Sequence, residues 1–218
     1  MTTLPPPSDR TRVRRLTDRA AYDQATIHAI LDAGIVAHVG IVDQGSPIVI
    51  PMAYARVDDA IVLHGSSKSR LIMQLGAGAE ACVTVTHLDA FVMARSAFHH
   101  SANYRSVMVL GTARKITDND EKEVRLKIFV DTLFPGRWDI LRPMKSKELK
   151  ATTVMSLPLS EASAKVRTGA PRDDEEDYAL PIWAGVVPLH LQVGAPIADT
   201  LNLPGLVPPA HVTSARVG

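Results

Sequence analysis

The sequence predicts a mainly β protein of the α+β class, an antiparallel sheet or barrel with flanking helices, and three observations carry that expectation. Six short runs, IVAHVGIV, SPIVIPMAYARV, DDAIVLHG, EACVTVTHL, AFVMARSAF and YRSVMVLGTARKI, are rich in Val, Ile and aromatic residues and are separated by Asp, Gly, Ser and His. That is the composition of strands and turns. No long helix intervenes between them, which disfavours a doubly wound parallel sheet. The chain of 218 residues is 46% hydrophobic, enough for one substantial core.

The elements follow in order. Residues 1–15 are rich in proline and arginine without periodicity and are expected to form a flexible arm. Residues 16–193 form the main domain. In YDQATIHAILDAG, from Tyr22, Ile27, Ile30 and Leu31 share a helical face and Gly34 marks the stop. A short helix interrupts the strands in SKSRLIMQLGAG, where Leu71, Ile72 and Leu75 have helical spacing. After the strands, Asp118 or Asn119 can cap a helix whose first turn is acidic, with Val124, Ile128, Phe129 and Leu133 as its apolar side and Pro135-Gly136 as its end. TTVMSLPLSEASAKVRTG reads as a further strand. The acidic run RDDEEDY, 172–178, reads as a solvated loop. The tail 194–218, with Pro196, Pro204, Pro208 and Pro209, is expected to be partly disordered.

Composition sets limits on function. Twenty-four Lys and Arg against 23 Asp and Glu give a net charge of +1, so the chain lacks the basic excess of a general nucleic-acid binder. The opening residues hold no apolar signal-peptide core, and no uninterrupted apolar run is long enough to span a membrane. No membrane partner is expected, and the expected location is the cytoplasm. The single cysteine, Cys82, sits in the apolar run ACVTV, where a thiol packs as a small hydrophobe.

The densest chemistry lies in LHGSSKSRL, residues 63–71. Ser66, Ser67, Lys68, Ser69 and Arg70 stand between the end of a strand and the first turn of a helix, where hydroxyls, cations and unpaired N–H groups converge on an anion. A phosphate monoester satisfies that set. The alternative is a simple cap, Ser66 closing the helix with Lys68 and Arg70 in water. The spacing is neither a Walker loop nor a dinucleotide-binding turn. A second polar cluster, His99, His100, Ser101, Asn103, Tyr104, Arg105 and Ser106, sits at a turn between two predicted strands.

With these motifs in order, the chain resembles the flavin-binding split barrels of the pyridoxamine 5′-phosphate oxidase superfamily, in particular the branch with nitroimidazole-resistance proteins. The paired signals are HGSSKSR and YRSV…G, and the resemblance runs from about Arg14 to Pro188. It implies a six-stranded Greek-key barrel, assembled as a homodimer with FMN in clefts at the interface. It also implies that Ser67, Lys68, Ser69 and Arg70 hold the FMN phosphate, that Ile50, Pro51 and Met52 lie along the flavin ring, and that His64 and Ser66 approach the ring or ribityl chain. Tyr104, Arg105 and Ser106 match a second cofactor motif, and Trp183 a position that covers the flavin from the other subunit. Leu71 stands where oxidases acting on pyridoxamine phosphate carry lysine, and the tail HVTSARVG lacks their basic motif, so vitamin B6 oxidation is not expected.

The expected activity is a flavin-dependent oxidoreductase, moving two electrons between a reduced nicotinamide or similar donor and a small planar acceptor. The alternatives are a flavin carrier or sensor, a flavin-free barrel, and a haem-binding split barrel with His100 as axial ligand. His64, His99 and His100 are the candidates for any proton transfer. The segment LPIWAGVVPLHLQV is too apolar to face water alone, which also points to a homodimer.

Overall fold

A computed structural model describes residues 4–213. β1 (Ala20–Ala21) is a two-residue bridge. Asp23 then starts α1 (Gln24–Asp32), its carboxylate accepting from the Thr26 N–H at 2.8 Å, which satisfies an orphan donor of the first turn. The helix buries Ile27, Ile30 and Leu31, the three residues its periodicity selects. Gly34 follows because of a close approach: a Cβ there would lie 2.5 Å from the hydroxyl of buried Tyr54. That hydroxyl donates to the Leu31 carbonyl and locks the end of α1 to the sheet.

β2 (Val36–Asp43) and β3 (Ser46–Val57) form a hairpin through Gln44 and Gly45, with φ of 50° and 80°, the positive values a two-residue turn needs to match strand twist. β4 (Ala60–Ser66) pairs with β3 and leads into α2 (Arg70–Gly76). Then come β5 (Glu80–Met93), β6 (Ser101–Thr112) and β7 (Arg114–Ile116), followed by α3 (Asn119–Leu133) and α4 (Ser146–Ala151). β8 (Thr152–Pro158), β9 (Ala162–Arg167), β10 (Gly185–Pro188) and α5 (Ala210–Thr213) complete the described chain.

All the pairings are antiparallel, in the order β1-β9-β6-β5-β2-β3-β4-β8-β7, with β10 on β5. β6 and β7 are separated only by Ala113, after Gly111 at φ 150°. One run therefore pairs with β5 and β9 at its start and with β8 at its end, and this bend draws the sheet round on itself. The protein is mainly antiparallel β with flanking helices, in the manner of a split barrel.

Ten strands stand where six were expected. Two of the expected runs, EACVTVTHL and AFVMARSAF, merge into β5, whose register shifts between Leu88 and Ala90; the bulge absorbs the polar Asp89 that looked like a turn. The single strand expected at 152–169 is split into β8 and β9 by a short 3-10 turn at Leu159–Glu161. The main core lies between the sheet, α1 and α2, with Val39, Ile61, Leu63, Leu71, Leu75, Val83, Val107 and Met155 buried. A second cluster, Val57, Val62, Ile116, Leu126 and Val154, sits under α3.

Asp118 caps α3 as expected, accepting from the Glu121 N–H at 2.8 Å. The buried face matches the expected one at Phe129, with Ile128 packed against the second core cluster, and differs elsewhere. It carries Lys122, Leu126 and Phe129, while Val124 is 55% exposed. Lys122 lays its stem on the core and donates from Nζ to the Leu149 carbonyl at 3.1 Å, which is how a long cation occupies an apolar face. The expected arm is tied down along residues 4–15: Thr11 is buried, and Arg10 pairs with both Glu80 and Glu161. Beyond β10 the chain is extended and exposes Ile197, Leu201 and Val207. Residues 1–3 of the expected arm and 214–218 of the expected tail lie outside the described residues. Among the described residues no helix is long and apolar enough to cross a membrane.

Candidate functional site

The hydroxyl-and-cation turn forms between β4 and α2. The Lys68 N–H donates to Ser66 Oγ at 3.2 Å, the Ser69 N–H to the Ser66 carbonyl at 2.9 Å, and the Ser67 N–H to the Ala151 carbonyl at 2.8 Å. These bonds fix the backbone of the turn. The hydroxyls of Ser67 and Ser69 and the Lys68 ammonium carry no hydrogen bond or ion pair among the described residues. Arg70 differs from them. Its Nε donates to Asp43, only 4% exposed, and Gln74 Nε2 reaches the other carboxylate oxygen at 3.0 Å. One edge of the Arg70 guanidinium is therefore spent inside the protein, while the side chain as a whole stays 63% exposed.

Beside the turn, β3 presents Ile50 and Pro51 to solvent and packs Met52 against the core. His64 occupies β4 on the same side as Val62, facing α3, and meets the Phe129 ring edge-on at 4.4 Å. Burial pushes its pKa below the ordinary 6.5, which keeps it neutral near pH 7.

Tyr104, Arg105 and Ser106 are half-buried on β6. Arg105 grips Asp89 with two nitrogens at 2.9–3.2 Å, and that carboxylate holds its guanidinium charged. Ser106 Oγ donates to the Lys165 carbonyl at 3.2 Å. Arg105, Asp89, His87 and His190 line a cavity of about 390 Å³. Trp183 is 69% exposed and folds its ring over Gly185, where a Cβ would come within 2.9 Å of it. Within one chain, then, the structure brings together residues 50–52 with 66–70, and it sets 104–106 and 183 apart: β5 and β2 lie between β6 and β3 in the sheet.

A third polar region joins the predicted His99–Ser101 cluster to arginines that sequence reasoning did not bring to it. A cavity of about 570 Å³ is lined by Arg15, Leu16, Asp18, Arg19, Phe98, His99, His100, Arg167 and Arg172. Its arginines come from residues 15–19 ahead of β1, the end of β9 and the loop beyond. No stretch of sequence carries the cluster; the nearest signal was the arginine-rich opening. Asp43 and Asp89, which fix Arg70 and Arg105, were equally invisible because each partner lies on another element, α2 and β6 respectively. The acidic run is only partly solvated, since the Asp173 side chain is fully buried against the Arg95 guanidinium and backbone N–H, at 3.0 and 2.8 Å.

Fold and turn together define a split-barrel protein with a hydroxyl-and-cation turn between β4 and α2. Residues 23–166 match the family model described as pyridoxamine 5′-phosphate oxidase, and the chain belongs to that family. It is similar to the flavocytochrome Anf3 from Azotobacter vinelandii, at 49% identity over 98% of this chain and 99% of that one, with a TM-score of 0.94. It is also similar to an FAD and haem binding protein from Mycobacterium smegmatis, at 37% identity over 90% and 97% of the two chains, TM-score 0.87. A structure from Bacteroides thetaiotaomicron assigned to 5-nitroimidazole antibiotic resistance shares the fold, at 22% identity over 67% and 86%, TM-score 0.56. No curated protein sequence matches the chain.

Proposed function

We propose that this protein is a flavin- and haem-binding redox protein of the flavocytochrome kind, with the flavin phosphates held at the turn 66–70. The observation that carries the reading is that turn: two free serine hydroxyls and a free ammonium on a backbone fixed by three hydrogen bonds. The likeness to a flavocytochrome over almost the whole chain supports it. FMN is the flavin expected from the sequence, and the Mycobacterium smegmatis protein shifts the choice to FAD, whose pyrophosphate suits the same donors.

When bound, a flavin exchanges two electrons and a haem iron exchanges one. The chain's own residues bind and orient. Lys68 would neutralise phosphate charge and the Ser67 and Ser69 hydroxyls would donate to its oxygens, while Arg70, held by Asp43, would offer its outward N–H groups to the same place. Ile50, Pro51 and Met52 offer a flat apolar wall with backbone polar groups. Pro51 has no N–H, so that stretch of wall presents one donor fewer.

A second copy of the chain completes the cleft in this reading. Val36, Val42, Val49 and Phe91 are exposed apolar residues on strands, and the extended segment beyond β10 adds Leu191, Ile197 and Leu201. Residues of that kind call for cover by a partner. A homodimer also gives Tyr104–Ser106 and Trp183 a route to the flavin, by crossing from the other subunit.

The test is the visible spectrum of the purified protein with mass spectrometry of what it releases. Flavin and Soret bands together, FAD by mass, and bleaching by NADH or NADPH are the expected result. FMN by mass restores the sequence expectation; a flavin that stays oxidised with both donors makes the protein a carrier. Colourless protein after incubation with FMN, FAD and haemin sinks the reading. Lys68→Ala is expected to weaken flavin binding about tenfold, the worth of one charge-assisted contact, measured by fluorescence titration.

A further inference from the structure

We propose that the arginine-lined cavity beside His100 is the haem site of this protein, with His100 Nε2 as the iron ligand and the arginines as partners of the two propionates. The proposal rests on the flavin-and-haem reading above and adds the place and the residues.

The charge balance is the first argument. Arg15, Arg19, Arg167 and Arg172 line the cavity against a single carboxylate, the exposed Asp18. None of the four forms an ion pair with another described residue. Arg167 is only 9% exposed. Its guanidinium donates to Asn103 Oδ1 and to the carbonyls of Gly169 and Ala170, both at 3.3 Å. These partners are neutral. Burial, and then the nearby Arg19 and Arg172, pull its pKa below the ordinary arginine value. A buried cation without a counter-charge is costly. Half-buried Arg19 and the exposed Arg15 and Arg172 add to that charge, and an anion with more than one carboxylate balances the group.

The second argument is the imidazole. His100 Nδ1 lies 2.8 Å from the Ser96 carbonyl. A carbonyl can only accept, so Nδ1 carries the proton and Nε2 keeps its lone pair. A backbone carbonyl behind one ring nitrogen is the arrangement that orients a histidine for a metal at the other. His99 does not compete, since its Nε2 sits 3.2 Å from an Asp174 carboxylate oxygen. The other cavity holds His190 and His87, whose Nε2 lies 2.9 Å from the Ile30 carbonyl, but its one lining arginine, Arg105, is already paired with Asp89.

The walls supply the third. Leu16 and Phe98 are 43% and 89% exposed at the cavity, apolar groups fit for a flat macrocycle. Leu16 holds the left-handed conformation, φ 55° and ψ 59°, which is costly for a leucine and is the kind of strain that gathers at ligand clamps. The cavity of about 570 Å³ is ample for a haem face.

The experiment adds haemin to the full-length protein and its variants and reads the Soret band, its position and its titration curve, with flavin absorbance as internal control. His100→Ala is expected to weaken haemin binding about 100-fold or to shift the Soret band to that of a weaker ligand set, with free imidazole restoring the position. Arg19→Ala and Arg172→Ala, both on the cavity surface, are expected to weaken haemin about tenfold each while flavin content holds. If the unaltered protein takes up no haem, the two-cofactor reading and the site fall together. If it does, and all three variants keep its Soret band and affinity, the site is wrong and the reading stands. Arginine variants that lose flavin instead would assign the cluster to the flavin phosphates and overturn the proposal.

Discussion

The two regions proposed to receive anions are built in opposite ways. The turn between β4 and α2 draws Ser66, Ser67, Lys68, Ser69 and Arg70 from five consecutive positions, and its strongest cation is already balanced by Asp43. The cavity beside His100 draws Arg15, Arg19, Arg167 and Arg172 from distant segments, and none forms an ion pair among the described residues, Asp18 being the one carboxylate of the lining. In the first region the arginine is balanced and only Lys68 and two hydroxyls stay open; the second carries an unbalanced charge on all four arginines. A paired arginine contributes to the fold, whereas an unpaired cluster subtracts from it until an anion arrives.

The largest expected effect of that contrast is on stability. Arg70→Ala leaves buried Asp43 with Gln74 as its one remaining side-chain partner, and is expected to cost about 1–3 kcal/mol in denaturant unfolding. Arg172→Ala removes a like charge and no ion pair, so the ligand-free protein should keep or gain stability. Equal losses from both would erase the distinction. It follows that Arg70 is a poor probe of flavin binding, because its removal disturbs the turn itself, and that Lys68 is the clean one.

A smaller effect is expected at Leu16. Relief of its positive φ by Leu16→Gly should stabilise the ligand-free protein by up to about 1 kcal/mol and weaken haemin uptake. A destabilised variant would mean that Leu16 contributes packing rather than strain.

The smallest effect concerns His64 and pH. Its pKa is lower in the folded chain than its ordinary 6.5, so below that pH the unfolded chain binds more protons and stability falls as pH falls. His64→Gln should flatten the stability profile between neutral pH and the folded pKa. An unchanged slope would place the titration elsewhere.

The same contrast explains what could be read from the sequence. Local signals were legible: Asp23 and Asp118 as caps, the face Ile27, Ile30 and Leu31, the strand runs, and the turn 66–70, because each is decided within a few residues. Features decided by distant partners were not. Asp89 reads as a turn residue until Arg105 on β6 takes it into a bulge. Asp173 reads as solvated until Arg95 buries it. Val124 reads as apolar face until Lys122 displaces it by reaching Leu149. The arginine-rich opening reads as a loose arm until Glu80 and Glu161 receive Arg10. In every case the missing information was a polar partner distant in the sequence.

The bend at Ala113 has a kinetic consequence. Because β6 and β7 are one run serving both ends of the sheet, their partners β8 and β9 must exist before the barrel can shut, and β1 waits with them for Ala164 and Lys165. On the ribosome, the β2–β6 meander would stand with open edges until residue 167 emerged. Closure is then a late, long-range event, slow by topology and exposed to misassociation in the interval.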